Sequence, residues 1–315
     1  MAAVSLLPTA LPRACLLAGA FFVAALPGIG GGTVAAAPAR PTLRLGVVAE
    51  EQNEPDRMLR VFGDLLARLR ERLSPRGVDV GGLVVARDVD DLSQRIARGE
   101  ADVIIETVFP TLMLQERSGA LTPGLVVVRR GQREYHSVFF TRKEAPIRTL
   151  ADLRGRTLVL QVVRSTSAFA LPKAELERAG LSVGPADDST AGRRDVRYVL
   201  ALSEINQAVW VLHGRGDAGA FSDSNWAALP EKIRSQLRIF HESRPIVRGL
   251  LSFRTGLDPR VRRAAEEVLV TLDSDEAGRA ALDAAAGITR LEPLTAADRQ
   301  ELRGLAAVLR PGAAR

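Results

Sequence analysis

The sequence predicts an α/β protein built from two units, each a mostly parallel sheet with flanking helices. Three observations carry this. Apolar, β-branched runs alternate with helical-period segments in βαβαβ order from Leu43 to Ile105, and such an order requires crossover helices and parallel pairing. The same alternation resumes at Leu158 and continues to Phe221. A chain of 315 residues with a leader removed also fits two domains.

That leader is residues 1–39. Arg13 precedes the apolar run Ala14 to Leu26, and small residues follow from Gly30 to Ala39. A run this short, in this order, is expected to be an export signal, cleaved after Ala36, Ala37 or Ala39. The single cysteine, Cys15, falls inside it, so disulfides and thiolate chemistry are not expected in the mature chain. The net charge of +6 is carried by arginine, with lysine only at Lys143, Lys173 and Lys232. These arginines are interspersed with Asp and Glu along helical faces, as in Arg57, Arg60 and Arg68 with Asp56 and Asp64. Solvated faces with few aromatics argue against a nucleic-acid partner.

Taken in order, Leu43 to Val48 is an apolar strand. Pro55 stands at the first turn of a helix whose Met58, Val61, Phe62, Leu65, Leu66 and Leu69 recur at helical spacing to Leu73. Ser74-Pro75-Arg76-Gly77 stops it. Leu83 to Val85 is a strand, Val89 to Arg98 a helix, and Val103 to Ile105 a strand followed by a short helix to Arg117. Leu125 to Val128 and Ser137 to Thr141 are extended. Leu158 to Val163 is a buried strand running into Ser165-Thr166-Ser167 and a helix that Gly180 ends. Gly184 to Gly192 is a loop of Pro, Asp and Gly. Arg197 to Leu200 is a strand, Ser203 to His213 a helix, and Ala218 to Phe221 a strand ending in Ser222-Asp223. Leu237 to His241 and Leu250 to Phe253 are the last strands expected, and helices from Pro259, Ser274 and Thr295 close the chain.

Candidate chemistry sits where strands end. Ser165, Thr166 and Ser167 stand at a helix start, where unpaired N–H groups and the macrodipole favour an anion; the plainer role is a helix cap. Glu106 and Thr107 follow the third strand, at the edge where open α/β sheets bind ligands. The three histidines, His136, His213 and His241, have no partner at metal-ligand spacing, so no metal or other cofactor is expected. Ser222 lacks the second glycine of a nucleophile elbow, and Arg215-Gly216-Asp217 reads as a turn between helix and strand.

Several segments together resemble the phosphate/phosphite/phosphonate-type periplasmic substrate-binding proteins of ABC importers. They are Tyr135-His136-Ser137-Val138, Leu150-Ala151-Asp152-Leu153-Arg154-Gly155-Arg156-Thr157, Ser165-Thr166-Ser167 with Pro172, and Val211-Leu212-His213-Gly214-Arg215-Gly216-Asp217-Ala218-Gly219-Ala220. Similarity runs from about Leu43 to Leu272 with the order intact. The resemblance implies a type II-like, two-lobed periplasmic binding protein, with ligand in the cleft and closure by a hinge. Lobe one is then residues 40–134 and 244–315, and lobe two residues 135–243. It implies that Ser165, Thr166 and Ser167 hold phosphoryl oxygens, with Tyr135 and His136 beside them. Asp223 matches an amine-binding position.

The chain also departs from the family. Thr107-Val108-Phe109-Pro110-Thr111 stands where many relatives carry Gly-Pro-Ala-Ser-Tyr, Val89 replaces an aromatic, Ala168 replaces a glycine, and Ser203-Glu204 replaces a Ser-His pair. Glu106, Glu204 and Asp223 in one cleft would repel a bare dianion, so a ligand carrying a cationic or hydroxyl part is expected. The functions weighed are a monomeric periplasmic protein delivering an oxyanion compound to an ABC importer permease, the same module serving a membrane sensor, and a secreted hydrolase using Ser222 or Ser165.

Overall fold

The computed structural model describes residues 40–49, 54–187 and 195–309. The expected export signal and most of the Gly184 to Gly192 loop lie outside these. The first part of the chain forms β1 (Thr42–Leu43), β2 (Leu45–Val48), α1 (Glu54–Leu73), β3 (Asp79–Val80), β4 (Val84–Ala86), α2 (Val89–Ala97), β5 (Val103–Glu106), α3 (Val108–Ser118) and β6 (Leu121–Arg129). After β7 (Glu134–Tyr135) come β8 (Ser137–Arg142), β9 (Thr157–Leu160), α4 (Leu171–Arg178), β10 (Val183–Pro185), β11 (Val196–Leu200), α5 (Glu204–Leu212), β12 (Ala218–Ser222), α6 (Asp223–Ala228), α7 (Glu231–Arg234) and β13 (Leu237–Glu242). The chain then returns through β14 (Ile246–Val247) to β15 (Leu250–Arg254), α8 (Pro259–Val270), α9 (Glu276–Ala284), β16 (Ile288–Pro293) and α10 (Ala296–Leu309).

Two six-stranded sheets result, ordered β16-β6-β15-β5-β2-β4 and β10-β11-β9-β12-β8-β13. The expected α/β class holds, and in detail both sheets are mixed. Strands β4, β2 and β5 are parallel, whereas β15, β6 and β16 run antiparallel to their neighbours. In the second sheet β10, β11, β9 and β12 are parallel, and β8 and β13 antiparallel. Each central strand is covered on both faces. Val103 and Ile105 of β5 pack with Leu65, Leu69 and Leu269, while Ile104 between them packs with Leu92, Ile96 and Leu114, as the two-residue strand period demands. In the second sheet Phe139 and Phe140 likewise face opposite cores. Gly219 lets Phe140 lie flat on β12, since a Cβ there would come within 2.4 Å of the ring.

The chain passes between the sheets twice, and the passages pair as the antiparallel ladder β7–β14, with Ile246 opposite Tyr135 and Val247 opposite Glu134. An apolar cluster surrounds this crossing and draws on both parts: Val108, Val126 and Leu250 meet Leu171 and Ala174 of α4, and Leu302 and Leu305 of α10.

Some elements were not expected. Strands β1, β3 and β10 and the short α6 and α7 are too brief to show a period. Arg44 divides the expected first strand because its N–H donates to Asp102 Oδ2 (3.1 Å) instead of a ladder. Strand β16 is hidden by a bulge between Ile288 and Arg290, which buries Ile288 and Leu291, three residues apart, and erases the alternation.

The C-terminal helix is tied to the crossing by Arg133. Its guanidinium donates to both Asp298 oxygens (3.0 and 2.7 Å), to Glu292 (2.9 Å) and to Glu134 (2.9 Å). Asp298 and Thr295 cap α10 reciprocally, through Thr295 N–H to Asp298 Oδ2 (2.7 Å) and Asp298 N–H to Thr295 Oγ1 (3.1 Å). Burial works to raise the Asp298 pKa, but Arg133 and Thr295 outweigh it and hold the carboxyl below its ordinary value. A depressed carboxylate adds stability above its unfolded pKa of about 3.9, and that stability is lost as pH falls through the folded value. Asp298→Asn is therefore expected to cost about 1–3 kcal/mol at pH 7. The gap to wild type should narrow below about pH 4. Urea unfolding at both pH values measures it; a gap independent of pH would mean that the charge of Asp298 is not what is lost.

Candidate functional site: a cationic cleft between the sheets

A cleft of about 320 Å³ opens where the two sheets face each other beside the crossing strands. Glu106 at the end of β5, with Thr107 and Pro110 at the start of α3, line it from one side. Gln161, Val162, Arg164, Ser165, Thr166 and Ser167 after β9, with Ser222 and Asn225 around the start of α6, line it from the other. Arg129, Tyr135 and Arg248 form the floor near the crossing. A larger cavity of about 660 Å³ lies between α3 and α10, lined by Leu112, Met113 and Leu302 with Arg299, Arg303 and Glu116. It holds none of the ligand-binding candidates read from the sequence, so the smaller cleft is the candidate site.

The Ser-Thr-Ser segment forms a π-helical turn, Thr166–Ala170. Ser165 caps it, its Oγ accepting from Ala168 N–H (3.1 Å), and the first N–H groups of such a turn have no acceptor within it. The turn is anchored from below: Ser137 Oγ donates to the Ser167 carbonyl (2.7 Å), and Ser137 N–H donates to Ser243 Oγ (2.8 Å). Both serines stand beside the crossing strands. Thr166 reaches across the cleft. Its Oγ1 accepts from Phe109 N–H (2.9 Å) and donates to Thr107 Oγ1 (3.0 Å). Thr107, at the α3 N-cap, makes no capping bond of its own, so a hydroxyl from the second sheet's side caps a helix of the first.

Tyr135 is buried at the foot of the cleft. Burial pushes its phenol up to about 12, against the pull of Thr166, Arg248 and Ser167, so it is neutral at physiological pH. The Arg248 guanidinium stacks over the Tyr135 ring, 5.1 Å from its centre, and donates to Gln132 Oε1 (2.8 Å) and Ser224 Oγ (3.2 Å). Arg129 is desolvated, which lowers its pKa; Glu106 opposes that effect and Arg248 adds to it. Its Nε is buried without a hydrogen-bond partner.

Of the residues expected in the site, Ser165, Thr166, Ser167, Glu106, Thr107 and Tyr135 line the cleft. His136, Glu204 and Asp223 do not. His136 alternates with Tyr135 and Ser137 along the chain, so it points away, and its ring lies 3.8 Å from Asp223 and 3.4 Å from Glu242. Asp223 turns to its own α6, accepting from Ser224 N–H (2.8 Å). Glu204 stands behind the lining and accepts from Asn225 Nδ2 (2.9 Å), which orients Asn225. The three carboxylates expected to share one cleft therefore reduce to Glu106, and the predicted repulsion of a dianion is replaced by its opposite, because Arg129, Arg164 and Arg248 line the same space. Sequence reasoning missed these arginines, Gln161 and Asn225. Arg129 ends a strand as Glu106 does, a signal that applied equally to it.

Fold and cleft together define the class, a two-lobed periplasmic substrate-binding protein. The profile described as "ABC transporter, phosphonate, periplasmic substrate-binding protein" matches residues 47–299, and the chain belongs to that family, whose members bind small molecules for ABC importer permeases. Among solved structures, XAC2383 from Xanthomonas citri, seen bound to chloride ion and to ATP, is 31% identical with a TM-score of 0.76, covering 85% of this chain and 96% of that one. PhnD1 from Prochlorococcus marinus, in complex with methylphosphonate, is 18% identical with a TM-score of 0.59 over 86% of this chain and 98% of that one. A binding protein component of an ABC phosphonate transporter from Pseudomonas aeruginosa is 16% identical with a TM-score of 0.57, covering 84% and 85%. No helix among the described residues is long and apolar enough to cross a membrane.

Proposed function

We propose that this chain, exported by residues 1–39, works as a monomer in the periplasm, capturing a compound with a phosphoryl or phosphonyl group and delivering it to an ABC importer permease. The observation that carries this reading is the Ser165–Ser167 turn, which offers hydroxyls and helix-start N–H groups to a cleft whose charged lining is three arginines and one carboxylate. An anion there gains charge-assisted hydrogen bonds and a favourable field. The ATP bound by XAC2383 is itself a phosphoryl compound. A hydrolytic role is disfavoured by the same geometry. Ser165 Oγ accepts from Ala168 N–H and has no base beside it among the described residues to take its proton, and Ser222 Oγ accepts from Asn225 N–H (3.1 Å) and shares a hydrogen bond with Ser224 Oγ (3.1 Å). No histidine lines the cleft to act as base.

Thermal unfolding against phosphate, phosphite, methylphosphonate, aminoethylphosphonate and sulfate tests the reading. A ligand at a hundred times its Kd adds about 2.7 kcal/mol, a visible shift in Tm. Phosphonates or phosphate should stabilise more than sulfate. Aminoethylphosphonate should gain little over methylphosphonate, since Asp223 does not reach the cleft and the one carboxylate there, Glu106, is outnumbered by three arginines. No response to any of the phosphorus oxyanions would overturn the reading, and a clear preference for the amine would mean that a carboxylate, Glu106 or a reoriented Asp223, receives it.

A further inference from the structure

The cleft contains two places for negative charge. One is the Ser165–Ser167 turn. The other is the floor, where Arg129 and Arg248 lie among the lining residues. Arginines elsewhere in the fold are typically neutralised, as Arg133 is by Asp298 and Glu292 and Arg254 by Asp102. Neither Arg129 nor Arg248 makes an ion pair among the described residues, although both are at least half-buried. Arg248 spends its printed hydrogen bonds on the neutral Gln132 and Ser224, and Arg129 Nε has no partner at all. Two cations that share one carboxylate, Glu106, in a part-buried space repel each other and are only partly compensated. An anionic ligand group seated between them removes both penalties. Tyr135 stands between the two places: its hydroxyl end interacts with Thr166 and Ser167, while its ring face carries Arg248. One tetrahedral group held against the turn therefore has the aromatic ring between it and that guanidinium.

We propose that the cleft selects ligands with two anionic groups, a phosphoryl or phosphonyl group on the Ser165–Ser167 turn and a second phosphoryl or carboxylate group between Arg129 and Arg248. This rests on the proposed phosphoryl-binding function and names its substrate class. Glu106 faces the same floor and tempers the field there, so a second group bearing a single charge suffices.

Isothermal titration with methylphosphonate, phosphonoacetate and pyrophosphate reads the selectivity directly. In wild type, phosphonoacetate or pyrophosphate should bind at least about tenfold more tightly than methylphosphonate, the effect of one charged hydrogen bond or more. Arg129→Gln and Arg248→Gln should each collapse that ratio towards one, while Arg129→Lys and Arg248→Lys, which keep the charge, should retain part of it. Melting curves of all four variants serve as the check that each is folded. If methylphosphonate binds wild type as well as the doubly anionic probes do, the inference is wrong and the single-oxyanion function stands. A preference that survives both glutamine variants also overturns it, because the second group then sits elsewhere. If none of the probes binds, the function itself fails and takes this inference with it.

Discussion

Asp102→Ala is expected to remove about 3–5 kcal/mol of folding stability, the range for stripping one partner from a buried ion pair. Asp102 is 1% exposed and stands immediately before β5. Its Oδ1 accepts from Arg254 Nε (3.0 Å) and Nη2 (2.9 Å), and its Oδ2 from Arg44 N–H (3.1 Å). Backbone bonds bind the same three residues, through Asp102 N–H to the Arg44 carbonyl (2.9 Å) and Arg254 N–H to the Asp102 carbonyl (2.8 Å). The side chain thus joins β1, β2, β5 and β15 at the end of the sheet away from the cleft. Alanine leaves a guanidinium and a backbone N–H without their acceptor. Asp102→Asn keeps one oxygen as an acceptor and should lose less. Denaturant titration gives the difference; a loss under 1 kcal/mol for alanine would mean that water reaches Arg254 and takes over. Because Glu106, at the other end of β5, faces the cleft, the folded fraction of either variant should bind ligand normally.

The contrast between Asp102 and Arg129 shows where sequence reading stops. Helices and long strands were legible because burial imposes a period on adjacent residues, as in Phe62, Leu65, Leu66 and Leu69 of α1. The Ser-Thr-Ser turn was legible because strand, hydroxyls and helix follow one another locally. Which arginine is neutralised and which is not depends on pairs far apart in the chain, such as Arg254 with Asp102. Nothing local distinguishes Arg129 from Arg130, although one lines the cleft and the other has a positive φ of 50° in a turn. Glu204 and Asp223 follow strands as expected, but position after a strand does not fix direction: each carboxylate accepts from an N–H near the start of α6. The misplacement of His136 was avoidable, since Tyr135 and Ser137 point inward and strict alternation sends the residue between them outward.

Thr166→Val should weaken oxyanion binding by about tenfold to a hundredfold, the loss of one hydrogen bond to a charged group. The geometry gives a further reason for the effect. In this conformation the hydroxyl proton of Thr166 goes to Thr107 and its oxygen accepts from Phe109 N–H, so Thr166 also holds the two sides of the cleft together. An anion seeking that proton must take it from Thr107, and Thr107 is then free to turn its own hydroxyl towards α3 or the ligand. Valine removes both the donor and the cap. Losing a cap costs about 0.5–2 kcal/mol, and under the expected hinge closure that cost falls on the arrangement in which Thr166 reaches Phe109, because once the two sides part water reaches Phe109 N–H. The variant should therefore fold and melt close to wild type without ligand, but scatter X-rays with a larger radius of gyration and respond less to the oxyanions that stabilise wild type. Thr166→Ser keeps the hydroxyl and should recover most of the affinity. Equal stabilisation of wild type and Thr166→Val by the same anion would show that the threonine neither binds ligand nor closes the cleft, and that the turn is a helix start and nothing more.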